Sequence, residues 1–259
     1  MIDLVKAEKV FKSYVEKYNT EDDKIELKIK HTYGVVSMSG FIATKLGLDE
    51  ENIKLAKLIA LLHDIGRFEQ AKKYDCFIDS KEIDHAEYGV EILFENNLIR
   101  TFIKDKKYDN IILKAIKNHN KYEIEEGLSD EELLHSKIIR DADKTDNLRI
   151  KYTEEFETLF DAKEEEIENE KISDKVYEDF MNHKQIRCED RVTHLDFWVC
   201  FAGWIYDFNF DIGIQYIKDN ECIDKLIDRI DYKDPDTKKK MKEIKKHAKK
   251  YLNKVKLQK

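Results

Sequence analysis

The stretch Leu61-Leu62-His63-Asp64-Ile65-Gly66-Arg67 (LLHDIGR) ends an apolar run of the sequence with two adjacent polar residues. The apolar residues before it recur at helical spacing, so His63 and Asp64 should lie at the end of a buried helix. Burying a carboxylate such as Asp64 is costly unless the charge is paired or bound to a metal ion. The stretch therefore predicts either a locally hydrogen-bonded pair or a pair that holds a ligand.

The composition favours an all-α fold. Of the 259 residues, 41% are hydrophobic and 39% are charged, which allows a sizeable core under a charged surface. There is a single proline, Pro235, and only 8 glycines, whereas β-rich chains need such residues at frequent turns. We expect a compact helical bundle over residues 1–160 and a helical extension over 161–259, packed on the bundle or continuous with it.

Apolar residues at helical spacing divide the chain into elements. Ser129 and Glu132 have the spacing of a capping box that starts a helix, and Gly47 is suited to end one. Residues 67–84 are polar and irregular, which predicts a loop of a length that often carries function. The pattern predicts helices near residues 4–15, 26–46, 52–65, 85–98, 111–119, 130–143, 173–182, 190–206 and 211–229.

Charge and cysteine content indicate a cytoplasmic chain. The net charge is -8, which argues against a protein wrapped in nucleic acid. The four cysteines are scattered without a CxxC pair and are interpreted as reduced thiols. The first ten residues lack the apolar core of a signal peptide. The most apolar stretch, residues 197–208, is too short to span a bilayer, so we expect no membrane partner.

Several polar residues occupy positions where helical spacing predicts a core. They are His31, His63, His119 and Asp143. A lone histidine on an apolar face is more often a hydrogen-bonded core residue than a ligand. Several histidines and a carboxylate together are typical of the ligands of Zn, Mn or Fe, and converging helices can gather them into one site. Spacing alone leaves open whether these four side chains converge.

The order of these residues resembles a known family. His31, the pair His63-Asp64, and Asp143 in DADKTD resemble the signature of the HD-domain metal-dependent phosphohydrolases. His85 in IDHAEYGVEIL and His119 in AIKNHNK resemble the two additional histidines of members that hold a second metal ion. The resemblance covers roughly residues 26–150 and implies a helical HD-domain bundle.

The resemblance also implies a site and its cofactors. His31, His63, Asp64 and Asp143 would form a first metal position, and Asp64 would bridge to a second that His85 and His119 complete. One or two divalent ions per chain are implied, of Mn, Fe, Co, Mg or Zn. Asp84 is interpreted either as an orienting partner of His85 or as an N-cap. Asp141 and Asp146 are interpreted as supporting or capping residues.

The implied activity is hydrolysis of a phosphate ester or anhydride bond by a metal-activated hydroxide. The expected partner is a phosphorylated small molecule, with nucleotides favoured, and the oligomeric state is left open. Asp64 and Arg67 are the predicted catalytic residues. Arg67, Lys144, Asn120 and Lys121 are predicted to bind substrate, although Arg67 could instead be a cation at a helix C-terminus.

Two other function classes stay open at this point. One is a catalytically silent regulatory module that binds a metal or a nucleotide. The other is a nucleic-acid-associated protein that uses the Lys-rich segment 236–259. The apolar stripe of that segment, which includes Met241, Ile244 and Leu252, favours an amphipathic helix packed on the protein. Few aromatic residues and no arginine accompany the lysines, so nucleic acid is the less favoured partner.

Overall fold

The computed structural model describes residues 1–74 and 83–254. In this part of the chain every regular element is helical and there is no β-strand, which confirms the all-α fold class. The α-helices are α1 (Leu4–Val15), α2 (Asp23–Lys45), α3 (Glu50–Leu62), α4 (Ile65–Tyr74), α5 (His85–Val90), α6 (Ile99–Phe102), α7 (Asp109–Asn118), α8 (Asp130–Thr153), α9 (Phe156–Phe160), α10 (Glu164–Glu168), α11 (Asp174–Met181), α12 (His194–Gly203), α13 (Asp211–Asp219), α14 (Cys222–Asp228) and α15 (Pro235–Leu252).

The chain forms two compact units, Met1–Asp146 and Asn147–Lys259, and the boundary falls within α8. The division into a helical bundle over residues 1–160 and a helical extension over 161–259 stays a prediction. Among the helices of the described residues, none combines the length and the apolar character needed to cross a bilayer. The cysteines at positions 188, 200 and 222 are free thiols, whereas Cys76 lies outside the described residues.

Side-chain caps start the helices of the first unit. The Asp22 carboxylate accepts from the backbone N–H groups of Lys24 and Ile25 at the start of α2. Asp49 accepts from the N–H of Asn52 at the start of α3. At α8 the expected capping box is present, because Ser129 N–H donates to Glu132 Oε2 (2.8 Å) and Glu132 N–H donates to Ser129 Oγ (3.4 Å). Each cap satisfies donors that the helix itself leaves unpaired.

Helices α2 and α3 pack against each other and form much of the core of the first unit. Their buried faces include Val35 and Ile42 from α2 and Leu55, Leu58 and Leu62 from α3, none of them measurably exposed. Burial of a side chain of this size contributes roughly 1.5–3 kcal/mol. This core packs α2, which contains His31, against α3, which ends directly before His63.

Two predictions about the segment after α3 were wrong. The helix does not run through residue 65, because α3 ends at Leu62 and a turn at His63-Asp64 leads into α4. Residues 67–74 are helix and not loop. Buried Phe68 packs edge-on against Phe11, with ring centroids 5.9 Å apart, and this contact stabilises α4 against α1. The rest of the predicted loop, with Asp75 and Asp79, lies outside the described residues.

Two other predicted helices are interrupted, each at a residue with left-handed backbone. Asn97 has φ 58° and follows a short π-helical segment at Glu91–Glu95, so the helix from residue 85 does not reach residue 98. Glu221 has φ 51° and separates α13 from α14. A single residue in this region ends a right-handed helix.

The second unit has its own core, which is centred on the fully buried Trp198 of α12. The Trp198 indole N–H donates to the carbonyl of Leu226 at 2.9 Å, so the polar edge of the ring is satisfied. Arg229 lies 4.0 Å from the ring centroid of Phe156 and donates to the backbone carbonyls of Lys151 and Glu154. It thus satisfies carbonyls at the C-terminal end of α8, which no helical N–H can reach.

The Lys-rich segment forms α15, an amphipathic helix whose apolar side belongs to the core of the second unit. Met241, Ile244 and Leu252 are buried, as the sequence pattern predicted. Lys245 pairs with Asp228 at 2.6 Å, and Lys249 pairs with Asp224 at 2.8 Å. Residue Val255 of the predicted stripe lies outside the described residues.

A buried histidine of the first unit makes stability dependent on pH. His135 is 1% exposed, its Nε2 lies 3.1 Å from Asn52 Oδ1, and burial lowers its pKa from 6.5 to about 4. The unfolded chain therefore binds this proton more strongly, and acid favours unfolding between those two pH values. We expect the free energy of unfolding to fall by about 3 kcal/mol across this range through His135 alone.

Urea unfolding of a His135→Gln variant at several pH values tests this contribution. Glutamine keeps a donor for Asn52 Oδ1 but does not titrate, so the variant should lose that part of the pH dependence. Equal dependence on pH in the variant and the wild type would show that His135 does not carry it.

Candidate metal centre

Five segments bring the six predicted ligands to one place in the first unit. His31 lies within α2, and His63 and Asp64 occupy the turn between α3 and α4. His85 is the first residue of α5, His119 directly follows α7, and Asp143 lies within α8. His63 is fully buried, and His31, Asp64, His85 and His119 are each no more than 5% exposed. The Asp143 side chain is the most accessible, at 19%.

A first group of ligand atoms surrounds one carboxylate oxygen of Asp64. His31 Nε2 and His63 Nε2 lie 3.8 and 3.7 Å from Asp64 Oδ2. Asp143 Oδ1 lies 2.9 Å from His31 Nε2 and 3.6 Å from His63 Nε2. Ligand atoms about 2 Å from a common ion are about 3 to 3.5 Å from one another. The separations are thus close to those of a coordination shell.

A second group surrounds the other oxygen of the same carboxylate. His85 Nε2 lies 3.2 Å from Asp64 Oδ1, and His119 Nε2 lies 3.8 Å from it. The two Nε2 atoms are 2.9 Å apart. His31, His63 and Asp64 on one side, and Asp64, His85 and His119 on the other, each form a cluster able to hold a metal ion. Asp64 is the member that the two clusters share.

The outer nitrogens of three histidines are held by other groups. His63 Nδ1 donates to the carbonyl of Ala60, and His119 Nδ1 donates to the carbonyl of Ile116, both at 2.7 Å. A carbonyl only accepts, so Nδ1 carries the proton and the lone pair lies on Nε2, facing the cluster. His31 Nδ1 lies 2.8 Å from Asp146 Oδ2, which is a carboxylate–histidine pair typical of metal sites.

A glycine makes the Asp146 contact possible. A Cβ at Gly34, three residues after His31 on α2, would come within 2.6 Å of Asp146 Oδ2 and closer still to its Oδ1. The absence of a side chain lets the carboxylate lie against α2. The sequence left two interpretations of Asp146, a capping residue or a residue that supports a ligand. The geometry favours the second, because Asp146 contacts His31.

The chemistry of the donor set fits a divalent metal ion. Nε2 of His63 is buried and has no hydrogen-bond partner among the described residues. Leaving a buried polar atom unsatisfied costs about 1–3 kcal/mol, and a metal ion in this position would remove that cost. The ligands that surround it are imidazoles and carboxylates, the donors that Zn, Mn and Fe accept.

The pKa shifts support charged carboxylates and, at His119, a neutral ring. Burial raises the pKa of Asp64, but the Lys28 ammonium and the neighbouring imidazoles lower it to well below its ordinary value. Burial likewise raises the pKa of Asp143, and His31 and His63 lower it well below the ordinary range. Burial lowers the pKa of His119, which therefore stays neutral at pH 7. These are the protonation states that metal binding requires.

His31 behaves differently from the other ligands. Burial lowers its pKa, but the carboxylates of Asp143 and Asp146 raise it more, so the pKa lies above its ordinary value. A proton therefore competes with a metal ion most strongly at this ring.

Lys28 is a residue of the site that the sequence analysis missed. Its Nζ lies 3.0 Å from Asp64 Oδ2, and its side chain is 19% exposed. Lys28 precedes His31 by three residues on α2, so helical geometry brings both side chains to one face. That spacing indicates that Lys28 lies beside His31, but it does not indicate the contact with Asp64, which belongs to another segment. Nothing in the local sequence distinguishes it from the many exposed lysines of the chain.

The four predicted substrate-binding residues lie in different surroundings. Arg67 is 14% exposed, with Nε 3.8 Å from Asp64 Oδ1, and its Nη1 donates to Gln70 Oε1 at 2.8 Å. Lys144, next to Asp143, is buried. Asn120 and Lys121 both donate to the carboxylate of Asp84, at 2.9 and 2.7 Å. The structure therefore brings Arg67 next to the ligand cluster, whereas Asn120 and Lys121 join the loop after α7 to α5.

Comparison with known proteins agrees with this geometry. Residues 29–148 match the family model described as HD domain, a range that includes all six predicted ligands. This match confirms the predicted resemblance to an HD domain over residues 29–148, and such domains are typical of metal-dependent phosphohydrolases. No curated protein and no solved structure matches the chain.

Proposed function

We propose that the protein hydrolyses phosphate ester or anhydride bonds with two divalent metal ions held by its HD domain. The observation that carries this proposal is the position of Asp64. One of its oxygens faces His31 and His63, and the other faces His85 and His119. A single shared carboxylate between two histidine pairs is the arrangement needed to hold two ions side by side. Two adjacent ions can clamp both the attacking and the leaving oxygen of a phosphoryl group.

The reaction class follows from the donor set. When bound, the ions lower the pKa of a water molecule to near neutrality and withdraw charge from the phosphoryl oxygens. The Nδ1 contacts of His63 and His119 turn Nε2 of each ring towards the cluster, and the lowered pKa values of Asp64 and Asp143 keep both carboxylates charged. Burial also limits the solvent around these groups, which strengthens their electrostatic effect.

Two positively charged side chains lie beside the shared carboxylate of Asp64, and we assign them to substrate binding. Lys28 and Arg67 approach opposite oxygens of Asp64, and both are more exposed than any of the four predicted histidine ligands. Arginine and lysine beside a metal centre can bind phosphoryl oxygens and stabilise the charge of the transition state. We propose this role for Arg67 and Lys28. Substrate binding by Lys144, Asn120 and Lys121 stays a prediction.

We favour nucleotides as substrates and the cytoplasm as the location. A partly accessible cation pair next to two metal positions suits a small phosphorylated molecule better than a polymer. The ion pairs of Lys245 and Lys249 with Asp228 and Asp224 reduce the free positive charge of α15. We therefore propose neither a nucleic-acid partner nor a membrane partner.

Metal analysis combined with a phosphatase panel tests the proposal. The chelated protein should be inactive. Addition of Mn, Fe, Co, Mg or Zn should restore hydrolysis of at least one nucleotide or dinucleotide, with about two ions bound per chain. Catalysis of this type lowers the barrier by many kcal/mol, so restored activity should exceed background by several orders of magnitude. If two ions bind but no phosphate compound is hydrolysed, the protein is a regulatory metal-binding module instead.

A further inference from the structure

The carboxylate of Asp84 connects two elements of the metal centre. Its Oδ1 accepts from the backbone N–H of Ala86 at 2.9 Å, and so caps the N-terminus of α5. The same oxygen accepts from Asn120 Nδ2 at 2.9 Å, and Oδ2 accepts from Lys121 Nζ at 2.7 Å. One side chain therefore joins the start of α5 to the loop that follows α7.

These contacts lie next to the two histidines of the second ligand group. His85 directly follows Asp84, and His119 directly precedes Asn120. A displacement of α5 relative to the loop would change the distance between the two rings. The Asp84 contacts oppose that displacement, and their charge-assisted geometry makes them stronger than neutral hydrogen bonds.

The same loop is held from its other side by a buried arginine. Arg140 of α8 is 4% exposed and donates through Nη1 to the carbonyls of Asn118 (3.0 Å) and Lys121, and through Nη2 to that of Tyr122 (3.3 Å). These bonds tie the loop to the helix that carries Asp143. With the loop fixed on α8, two acidic side chains join α5 to the loop. Asp84 caps α5 and makes two contacts with the loop, and Glu87 of α5 lies 3.2 Å from Lys121 Nζ.

We propose that Asp84 is the positioning residue of the second metal position, where it holds His85 and His119 at the spacing one ion requires. This inference rests on the proposed two-metal function. Ligands must be held to within about 0.5 Å of the productive geometry. Loss of an outer partner of metal ligands typically lowers metal affinity by 10–100-fold. The first position does not depend on Asp84, because its ligands come from α2, α8 and the turn after α3.

The Asp84→Asn variant separates positioning from capping. Asparagine caps a helix about as well as aspartate, but it loses the negative charge that binds Lys121. Titration with Mn²⁺, followed by electron paramagnetic resonance and by metal analysis, measures both affinities. We expect an unchanged first ion and a second ion bound about 10–100-fold more weakly.

Two further variants make the result specific. Asp49→Asn changes the N-cap of α3 in the same way. Asp49 bonds to Asn52 of its own helix, so this variant should bind both ions like the wild type. Lys121→Gln removes the ammonium that pairs with Asp84 Oδ2 and with Glu87 Oε1 of α5, so it should weaken the second ion in the same direction, whether or not Asp84→Asn folds.

Three outcomes are distinguishable. Selective loss of the second ion in Asp84→Asn and Lys121→Gln supports the proposal. Wild-type affinities for both ions in these variants overturn it while leaving the two-metal function intact. A wild-type protein that never binds a second ion overturns the two-metal function, and the role of Asp84 with it.

Discussion

Replacing Asp64 with asparagine is expected to remove both metal ions and to lower hydrolysis by at least about 10³-fold. Asp64 is the one side chain that faces both histidine pairs, so its charge is lost from two positions at once. A neutral amide oxygen is a much weaker ligand than a carboxylate. Metal content and hydrolysis, measured on the same preparations, should fall together.

The variant also changes the charge around Lys28. The ammonium lies 3.0 Å from Asp64 Oδ2 and loses this ion pair in the variant. Some loss of stability could therefore accompany the loss of metal, and thermal unfolding separates the two effects. A metal ion that binds the folded state stabilises it by about 2.7 kcal/mol at 100 times its dissociation constant. The wild type should show a metal-dependent rise in Tm, and Asp64→Asn should not.

A matched control shows that the effect belongs to the site. Asp179 is a similarly buried aspartate, 5% exposed, in the second unit, where it pairs with Lys175. Asp179→Asn should keep its metal content and the metal-dependent rise in Tm, even if it lowers stability. Full metal content and activity in Asp64→Asn would show that the ligand assignment is wrong.

Sequence periodicity was sufficient to find most of the candidate ligands. His31, His63, His119 and Asp143 stand at core positions of helical faces, and buried polar groups of this kind need a partner. The all-α fold followed from the scarcity of proline and glycine together with the helical spacing. Such signals are local, so a single sequence contains them.

The features that were missed depend on contacts between distant segments. Residues 67–74 of α4 have the sequence pattern of a loop because charged residues interrupt their apolar spacing, and Phe68 becomes a core residue only through packing on α1. Lys28 and Arg140 resemble surface cations in the sequence. Lys28 belongs to the site because it contacts Asp64, which lies 36 residues away in the sequence. Arg140 supports the site because it donates to the backbone carbonyls of Asn118 and its neighbours. Spacing along one helix contains no information about such pairs.

Gly66 shows the same limit, since a glycine that follows an apolar helical run is typical of a turn. The structure places it inside α4, where it faces the start of α5. A Cβ at Gly66 would lie 2.8 Å from the backbone nitrogen of Gly89 and closer still to the carbonyl oxygen of His85. Both are backbone atoms and cannot rotate away. The glycine therefore allows the close approach of two helices that brings His85 to Asp64.

Gly66→Ala should consequently separate α5 from α4 and disturb the second ligand group. Overpacking of this kind typically costs about 1–3 kcal/mol, and displacement of His85 should weaken the second ion by at least about 10-fold. Gly89→Ala is the matched control at the same interface, because its Cβ would meet only ordinary contacts, the nearest at 3.5 Å. Thermal unfolding and metal titration of the two variants should differ clearly. Equal behaviour of Gly66→Ala and Gly89→Ala would mean that the α4–α5 contact does not set the position of His85.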